Sequence, residues 1–247
     1  MTTKSQIEWT EQTWNPTTGC TKVSAGCKHC YAEVMAKRLK AMGANGYQNG
    51  FNLSLLPERL TQPLKRKKPT TYFVNSMSDL FHEDVPFEFI DKVFDVIKET
   101  PQHRYQILTK RENQLLAYFD GKVVPDNVWL GVSVENIKDG LPRIDVLRKI
   151  SAKIRFLSIE PLLEDLKVVD FTDIHWVIVG GESGPKARAM KEKWVLNIQS
   201  QCDAQNVAFF FKQWGTWGAD GVKRNKHKNG KLLNDGIHHN YPQVVNF

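Results

Sequence analysis

Six short apolar runs recur along 247 residues, and a stretch with helical spacing or turn chemistry separates each from the next. They are Tyr72–Asn75, Tyr105–Thr109, Val128–Val132, Ile154–Ser158, His175–Val179 and Val207–Phe211. A seventh, weaker run precedes Cys20. Runs of this length are strands, and strands that alternate with helices build parallel βαβ units. The alternation predicts an α/β chain of about six to seven parallel strands, either a doubly wound sheet or an incomplete (β/α) barrel. Hydrophobic residues make up 41% and charged residues 25%, an ordinary globular balance. No apolar run reaches the roughly 18–20 residues that a membrane helix needs. The first residues, MTTKSQIEWTEQTW, have no apolar core of a secretory signal, so a cytoplasmic location is the expectation.

The intervening segments carry helix signals. Tyr31, Val34, Met35, Leu39 and Met42 recur at helical spacing and predict an amphipathic helix with those residues on its apolar face. Gly43–Gly50 is a Gly/Asn-rich loop. Asp84 is a candidate cap for a helix with Pro86 near its start and Phe87, Ile90, Phe94 and Ile97 on its apolar side. Further helices are expected over about Glu112 to Phe119, over Leu141–Ile150 and around Trp194, Val195 and Ile198. Residues 1–217 are expected to form one α/β domain. Residues 218–247 turn basic and Asn/Gly-rich, which predicts a largely irregular tail.

Polar and charged residues follow the ends of the strands. They include Asn75, Ser76, Ser78 and Asp79; Thr109, Lys110 and Arg111; Ser133, Glu135 and Asn136; Ser158 and Glu160; Gly180, Gly181 and Glu182; and Lys212 and Trp214. Parallel strands all end on one face, where α/β proteins bind ligands. Turn formers and caps account for one or two such loops. Glu, Lys and Arg are not preferred turn residues, so a shared ligand face explains six loops better.

Three of the four cysteines, Cys20, Cys27 and Cys30, lie in one segment with the spacing C-x6-C-x2-C. A disulfide framework wants an even count spread over a small secreted chain, so this is a cytosolic site with Cys202 left over. Three thiolates from one loop can hold three irons of a [4Fe–4S] cubane and leave the fourth open to a ligand. Zinc is the competing occupant, and it wants four N/S ligands. Reactive or structural thiols are the third reading. His29 lies between two of the cysteines and is awkwardly placed for simultaneous ligation. His82-Glu83-Asp84 resembles a metal-binding triplet, but a helix start explains it more cheaply.

The net charge of +7 permits an anionic partner such as nucleic acid or a nucleotide. Cations cluster at Lys65–Lys68 and between Lys223 and Lys231. Solvated surface is the competing account of both clusters.

The segment Trp14-Asn-Pro-Thr-Thr-Gly-Cys20 through Cys27-Lys-His-Cys30-Tyr31-Ala-Glu33 resembles the signature of the phage-associated three-Cys-motif proteins. So do Phe73-Val-Asn-Ser-Met-Ser-Asp-Leu-Phe-His-Glu-Asp84, Leu108-Thr-Lys-Arg111 and Val128-Trp-Leu-Gly-Val-Ser-Val-Glu-Asn136. The match continues in Phe156-Leu-Ser-Ile-Glu-Pro-Leu162, Trp176-Val-Ile-Val-Gly-Gly-Glu-Ser-Gly-Pro185 and Phe209-Phe-Phe-Lys-Gln-Trp-Gly215. That family looks like a branch of the radical SAM (S-adenosylmethionine) superfamily and is more distantly similar to spore photoproduct lyase. The superfamily's usual spacing is C-x3-C-x2-C, so the first gap here is longer.

The resemblance implies a radical-SAM-like incomplete (β/α) barrel. It implies a [4Fe–4S] cluster on Cys20, Cys27 and Cys30 with SAM on the open iron, and reductive cleavage of SAM to a 5′-deoxyadenosyl radical. The cofactors carry such chemistry, and the protein orients them. Ser76, Ser78 or Asp79 would bind the SAM amino group, and Lys110 or Arg111 its carboxylate. Ser133, Glu135 and Asn136 would hold ribose hydroxyls. Gly180 and Gly181 would allow close backbone approach, with Glu182 toward the ligand and Glu160 beside it. Glu135 and Glu160 serve equally well as buried salt-bridge partners. A reductant such as flavodoxin or ferredoxin is implied as a partner, with nucleic acid or a nucleotide as substrate. The reading from a different class is a non-enzymatic nucleic-acid-binding protein with structural zinc on the same cysteines. Three strand-end carboxylates, Glu135, Glu160 and Glu182, disfavour it.

Overall fold

The computed structural model describes residue 5 and residues 7–243. Its strands are β1 (Gln12–Trp14), β2 (Thr17–Thr18), β3 (Ser54–Leu55), β4 (Thr71–Val74), β5 (Arg104–Thr109), β6 (Val128–Ser133), β7 (Ile154–Ile159), β8 (Trp176–Gly180) and β9 (Ala208–Gln213). Its helices are α1 (Tyr31–Ala41), α2 (Phe87–Glu99), α3 (Glu112–Tyr118), α4 (Ile137–Arg148), α5 (Glu192–Ala204) and the short α6 (Lys226–Asn229). Seven strands form one sheet in the order β1-β4-β5-β6-β7-β8-β9. That order follows the chain without reversal. A doubly wound sheet reverses its order at a switch point, so the winding is that of a (β/α) barrel left open between β1 and β9. The weak run before Cys20 is therefore a true strand, β1.

The chain divides into two compact units. The first comprises the residues up to Val23, Cys30–Gly131 and Lys149–Lys153. In it β1 pairs in parallel with β4, and β4 with β5, in the register Thr71 to Arg104. Trp14, Tyr72 and Tyr105 are fully buried, and the two tyrosine rings stack with centroids 5.5 Å apart. Helix α2 buries Phe89, Ile90, Val93, Phe94, Val96 and Ile97, the three-and-four spacing of a core-facing stripe. Pro86, not Asp84, occupies its N-cap. Proline's fixed φ suits the entry, and the residue before a proline is driven away from helical geometry, which leaves Asp84 outside in the preceding turn.

Helix α1 reverses the expected orientation. It buries Ala32 and Ala36 against Tyr47 and Met77, while Tyr31, Val34, Met35 and Met42 are exposed. Two alanines let the helix approach Tyr47 and Met77 closely; of the five residues expected on the buried face, Leu39 packs there and the other four take the outer face.

The second unit comprises Ser24–His29, Val132–Arg148 and the chain from Ile154 onward. Strands β7, β8 and β9 are parallel, with Phe156 level with Trp176 and Trp176 level with Ala208. Val195, Ile198 and Cys202 of α5 are buried in this unit. Burial pushes the Cys202 thiol well up, which keeps it protonated. Helix α4 begins at Ile137, four residues before its expected start, and carries Pro142 inside it. Gly140 and Pro142 disguise the start. Asn136 Oδ1 accepts from Asp139 N at 2.7 Å, an N-cap that the residue pattern hid behind those breakers.

The segment after Trp217 holds α6 and an antiparallel contact with β9. Phe211 N donates to His238 O at 2.7 Å, and Asn240 N donates to Phe209 O at 3.1 Å. The His239 ring stacks on Phe210 at 4.1 Å. Among the described residues, no helix is long and apolar enough to cross a membrane.

Candidate functional site

Cys20, Cys27 and Cys30 are thiols of intermediate exposure, none in a disulfide. Each belongs to a segment fastened by charged or polar groups from the strand ends.

In the first unit, Cys20 follows β2. Its backbone N–H donates to Phe51 O at 3.0 Å. Gly19 before it has φ +80°, and a Cβ there would lie 2.2 Å from Asn52 O, so only glycine fits this turn. Arg111, at the end of β5, is 5% exposed. Its guanidinium donates to Glu83 at 2.8 Å, Asp79 at 3.2 Å, Thr21 Oγ1 at 2.8 Å and Thr21 O at 3.2 Å. It also points Nη1 at Cys20 Sγ, 3.5 Å away. Burial opposes the charge on Arg111, but Asp79, Cys20 and Glu83 outweigh it and push its pKa up. Asp79 accepts from Phe81 N, Thr109 Oγ1 and Lys110 N as well, at 3.0, 2.7 and 3.0 Å. This hub fixes Cys20 and Thr21 to the ends of β4 and β5.

His82 completes the hub. It is buried, its Nε2 lies 3.0 Å from Thr21 Oγ1, and its Nδ1 accepts from Asp84 N at 3.1 Å. Burial, and then Arg111, lower its pKa, so the ring is neutral. A cavity of about 430 Å³ opens here, lined by Cys20, Thr21, Asn52, Leu53, Leu55, His82 and Asp84. The two serines expected at the ligand each make a framework contact. Ser76 Oγ donates to Asn15 Oδ1 at 3.2 Å, and Ser78 Oγ donates to Thr17 O at 2.9 Å. The Tyr31 hydroxyl donates to the Ser76 carbonyl, and Cys30, the residue before Tyr31, caps α1.

In the second unit, Ser24–His29 lies against the ends of β6 and β8. Glu135 is fully buried. Arg143 Nη1 donates to it at 2.7 Å and to Ser133 O at 2.8 Å, and Ser24 Oγ donates to its other oxygen. A Cβ at Gly26 would sit 2.9 Å from Glu135 Oε1, so the absence of a side chain lets the loop press onto the carboxylate. Asp139 accepts from Ala25 N at 3.4 Å and from Asn136 Nδ2 at 3.0 Å. Glu182 holds Arg188 in a fork, with Nε–Oε2 2.9 Å and Nη2–Oε1 2.5 Å. Arg188 Nη1 then donates to Ala25 O at 3.0 Å. Glu160 pairs with Lys212 at 2.7 and 2.8 Å, and Gly180 gives that carboxylate room. Gly181 is pressed by protein backbone. A Cβ there would meet Trp214 O at 1.9 Å.

Burial alone would raise the Glu182 carboxyl, but Arg188 and then His29 outweigh it and hold it below its ordinary value of 4.5. A depressed carboxylate contributes stability that is present above its unfolded pKa and lost as pH falls through its folded pKa. Glu182→Gln is therefore expected to cost about 1–3 kcal/mol at neutral pH. The difference from wild type should shrink below about pH 4.5. Urea melts at neutral and acid pH measure it, and a pH-independent difference would refute the pairing.

Arg188, Arg143, Ser24, Thr21 and His82 were not singled out as site residues from the sequence. His82 alone had a signal, the His-Glu-Asp triplet. The donor chemistry fits a thiolate-ligated cluster: three partly exposed thiols close in sequence, one of them facing a guanidinium. Among the described residues, no group of three His, Cys, Asp or Glu already stands at metal-holding distances.

Similar solved structures are spore photoproduct lyases. A cysteine-to-serine variant aligns over 95% of this chain and 74% of its own, with 16% identity and a TM-score of 0.50. A tyrosine-to-phenylalanine variant aligns over the same shares, with 14% identity and a TM-score of 0.49. A doubly substituted form with bound AdoMet and dinucleoside spore photoproduct aligns over 73% of this chain, with 15% identity and a TM-score of 0.47. The chain spans 58% of that last lyase, less than two thirds of its length. The first alignment shows a shared fold. A search of curated proteins finds no match. A family profile described as "Protein of unknown function (DUF5131)" matches residues 4–242, nearly the whole chain, and the chain belongs to that DUF5131 family.

Proposed function

We propose that the chain is a radical SAM type enzyme of the phage-associated three-Cys-motif kind, acting on nucleic acid or a nucleotide. A [4Fe–4S] cluster would be held by Cys20, Cys27 and Cys30. The observation that carries this reading is the cysteine segment: three partly exposed thiols whose stretches are held by charged and polar groups at the ends of parallel strands. A purely structural metal site wants a fourth protein ligand, and a reactive one keeps a position open.

When bound, such a cluster would supply an electron to SAM and so open radical chemistry toward the substrate. The chain's own residues hold the loop for this. Arg111 fixes Thr21 and offers an N–H to Cys20 Sγ, the kind of contact that tunes a cluster's potential. Glu135 and Arg188 hold Ser24 and Ala25, the residues leading to Cys27. The cavity beside Cys20, with apolar Leu53 and Leu55 and polar His82 and Asp84, has the size and mixed lining of a small-molecule site. Lys110, Asn136 and Gly180 remain candidates to contact SAM. The reading requires a one-electron donor such as flavodoxin or ferredoxin, and a reducing compartment such as the cytoplasm.

The test is anaerobic reconstitution with iron and sulfide, reduction, addition of SAM and assay for 5′-deoxyadenosine. Wild type is expected to form product, and Cys27→Ala to form none. Stoichiometric zinc as purified, with no cluster after reconstitution, would overturn the reading in favour of a binding module.

A further inference from the structure

Residues 223–231 read Lys-Arg-Asn-Lys-His-Lys-Asn-Gly-Lys, five formal cations without an acid. The structure gives this run a fixed shape. Gly218 N donates to Val222 O at 3.0 Å and Arg224 N to Thr216 O at 2.9 Å, which close a hairpin. Asn229 Nδ2 donates to Gly215 O at 3.0 Å, Trp214 Nε1 to Leu232 O at 2.8 Å, and Leu233 is fully buried. Lys223, Arg224, Lys226 and Lys228 are nevertheless exposed. Arg224 is paired with Asp220 at 2.6 Å, and Lys226 and Lys228 extend into solvent from the same held segment.

The array adjoins the loop after β8. Trp217 Nε1 donates to Ala187 O at 2.7 Å, and Lys223 Nζ donates to Pro185 O at 2.7 Å. That loop adds the exposed Lys186. Two residues on, Arg188 reaches Ala25 O in the segment that carries Cys27. Short protein contacts therefore link the basic array to the cysteine loop within one unit.

Three anionic partners compete for such a surface. A small anion needs donors converging in a concave pocket, and these cations are spread over an exposed surface. An anionic membrane prefers an amphipathic helix with a broad apolar face, and α6, Lys-His-Lys-Asn, has none. A polyanion with many charges matches a held surface of exposed lysines. We infer that residues 223–231 with Lys186 form a docking surface for the phosphodiester backbone of nucleic acid and lead it toward the cysteine loop. This deepens the substrate class of the proposed function and does not depend on the cluster.

The test compares the full chain with a fourfold variant, Lys186→Gln, Lys223→Gln, Lys226→Gln and Lys228→Gln. A control variant loses the same charge elsewhere, through Lys65→Gln, Lys67→Gln, Lys68→Gln and Lys98→Gln. Fluorescence anisotropy reads the binding of labelled duplex and single-stranded DNA and RNA, without cluster, across a salt series. The fourfold variant is expected to bind at least about tenfold more weakly, and its log K against log salt slope on duplex DNA should flatten by about 0.9 per lysine removed. The control is expected to keep most of the wild-type slope. Equal losses in both variants, an unchanged slope, or capture by phosphatidylserine vesicles without nucleic-acid binding would overturn the inference. SAM cleavage is assayed separately. Docking lost in the fourfold variant supports the inference even if wild type cleaves no SAM, and cleavage with docking unchanged overturns the inference alone.

Discussion

Arg143→Met is expected to lower stability by about 3–5 kcal/mol, because it strands a carboxylate from which water is excluded. Glu135 has no exposed surface, and Arg143 is the cation 2.7 Å from it. Methionine nearly fills the volume but cannot neutralise the charge. The effect should reach the cysteine loop, since Ser24 hangs on the same carboxylate and Gly26 rests against it. Denaturant melts read the stability, and limited proteolysis around Ser24–His29 reads the loop. Adding Glu135→Gln to Arg143→Met should recover part of the loss, since the neutral amide needs no counter-charge. That recovery is the coupling a double-mutant cycle measures. A loss under about 1 kcal/mol would mean that the pair does not hold this unit together.

The second large effect is expected at Arg111. Arg111→Met removes the cation shared by Asp79 and Glu83 and should cost about 3–5 kcal/mol. Arg111→Lys separates charge from geometry. A single ammonium can neutralise Asp79 but cannot span Glu83, Thr21 and Cys20 as the planar guanidinium does. The lysine variant should therefore recover much of the stability without restoring order at Cys20. Iron bound per chain after reconstitution is the second readout and should fall in both variants. Full iron content and wild-type stability in both would show that the hub is dispensable.

The strand and helix alternation was legible because burial imposes its period on the residues. Even the faint run before Cys20 was a strand. Where expectation and structure part, a local rule met a tertiary demand. In α1 the large apolar residues suggested the buried face, yet Ala32 and Ala36 face Tyr47 and Met77, and of the large residues only Leu39 joins them. In α4 the cap at Asn136 outweighs Gly140 and Pro142, and no periodicity reports a cap made by one side chain.

The cysteine loop was fully visible as a motif, and its supports were not. Glu135 and Glu182 were noticed, but nothing in the order of residues says that Arg143 and Arg188 reach them. Such pairings are set by how loops return across a fold. Ser76 and Ser78 illustrate the converse. Their place after a strand suggested ligand contact, and the structure adds that their hydroxyls donate to Asn15 and Thr17.

The antiparallel contact at β9 has a consequence for solubility. β9 is the last strand of an open sheet, and it reads Ala-Phe-Phe-Phe-Lys-Gln. An uncovered edge of that composition would template pairing between molecules. Residues 238–240 occupy that edge through His238 O and Asn240 N, and His239 shields the Phe210 ring. The chain's final stretch thus acts as a guard against self-association, and a protein shortened at Trp217 would present three phenylalanines on a bare aggregation-prone border.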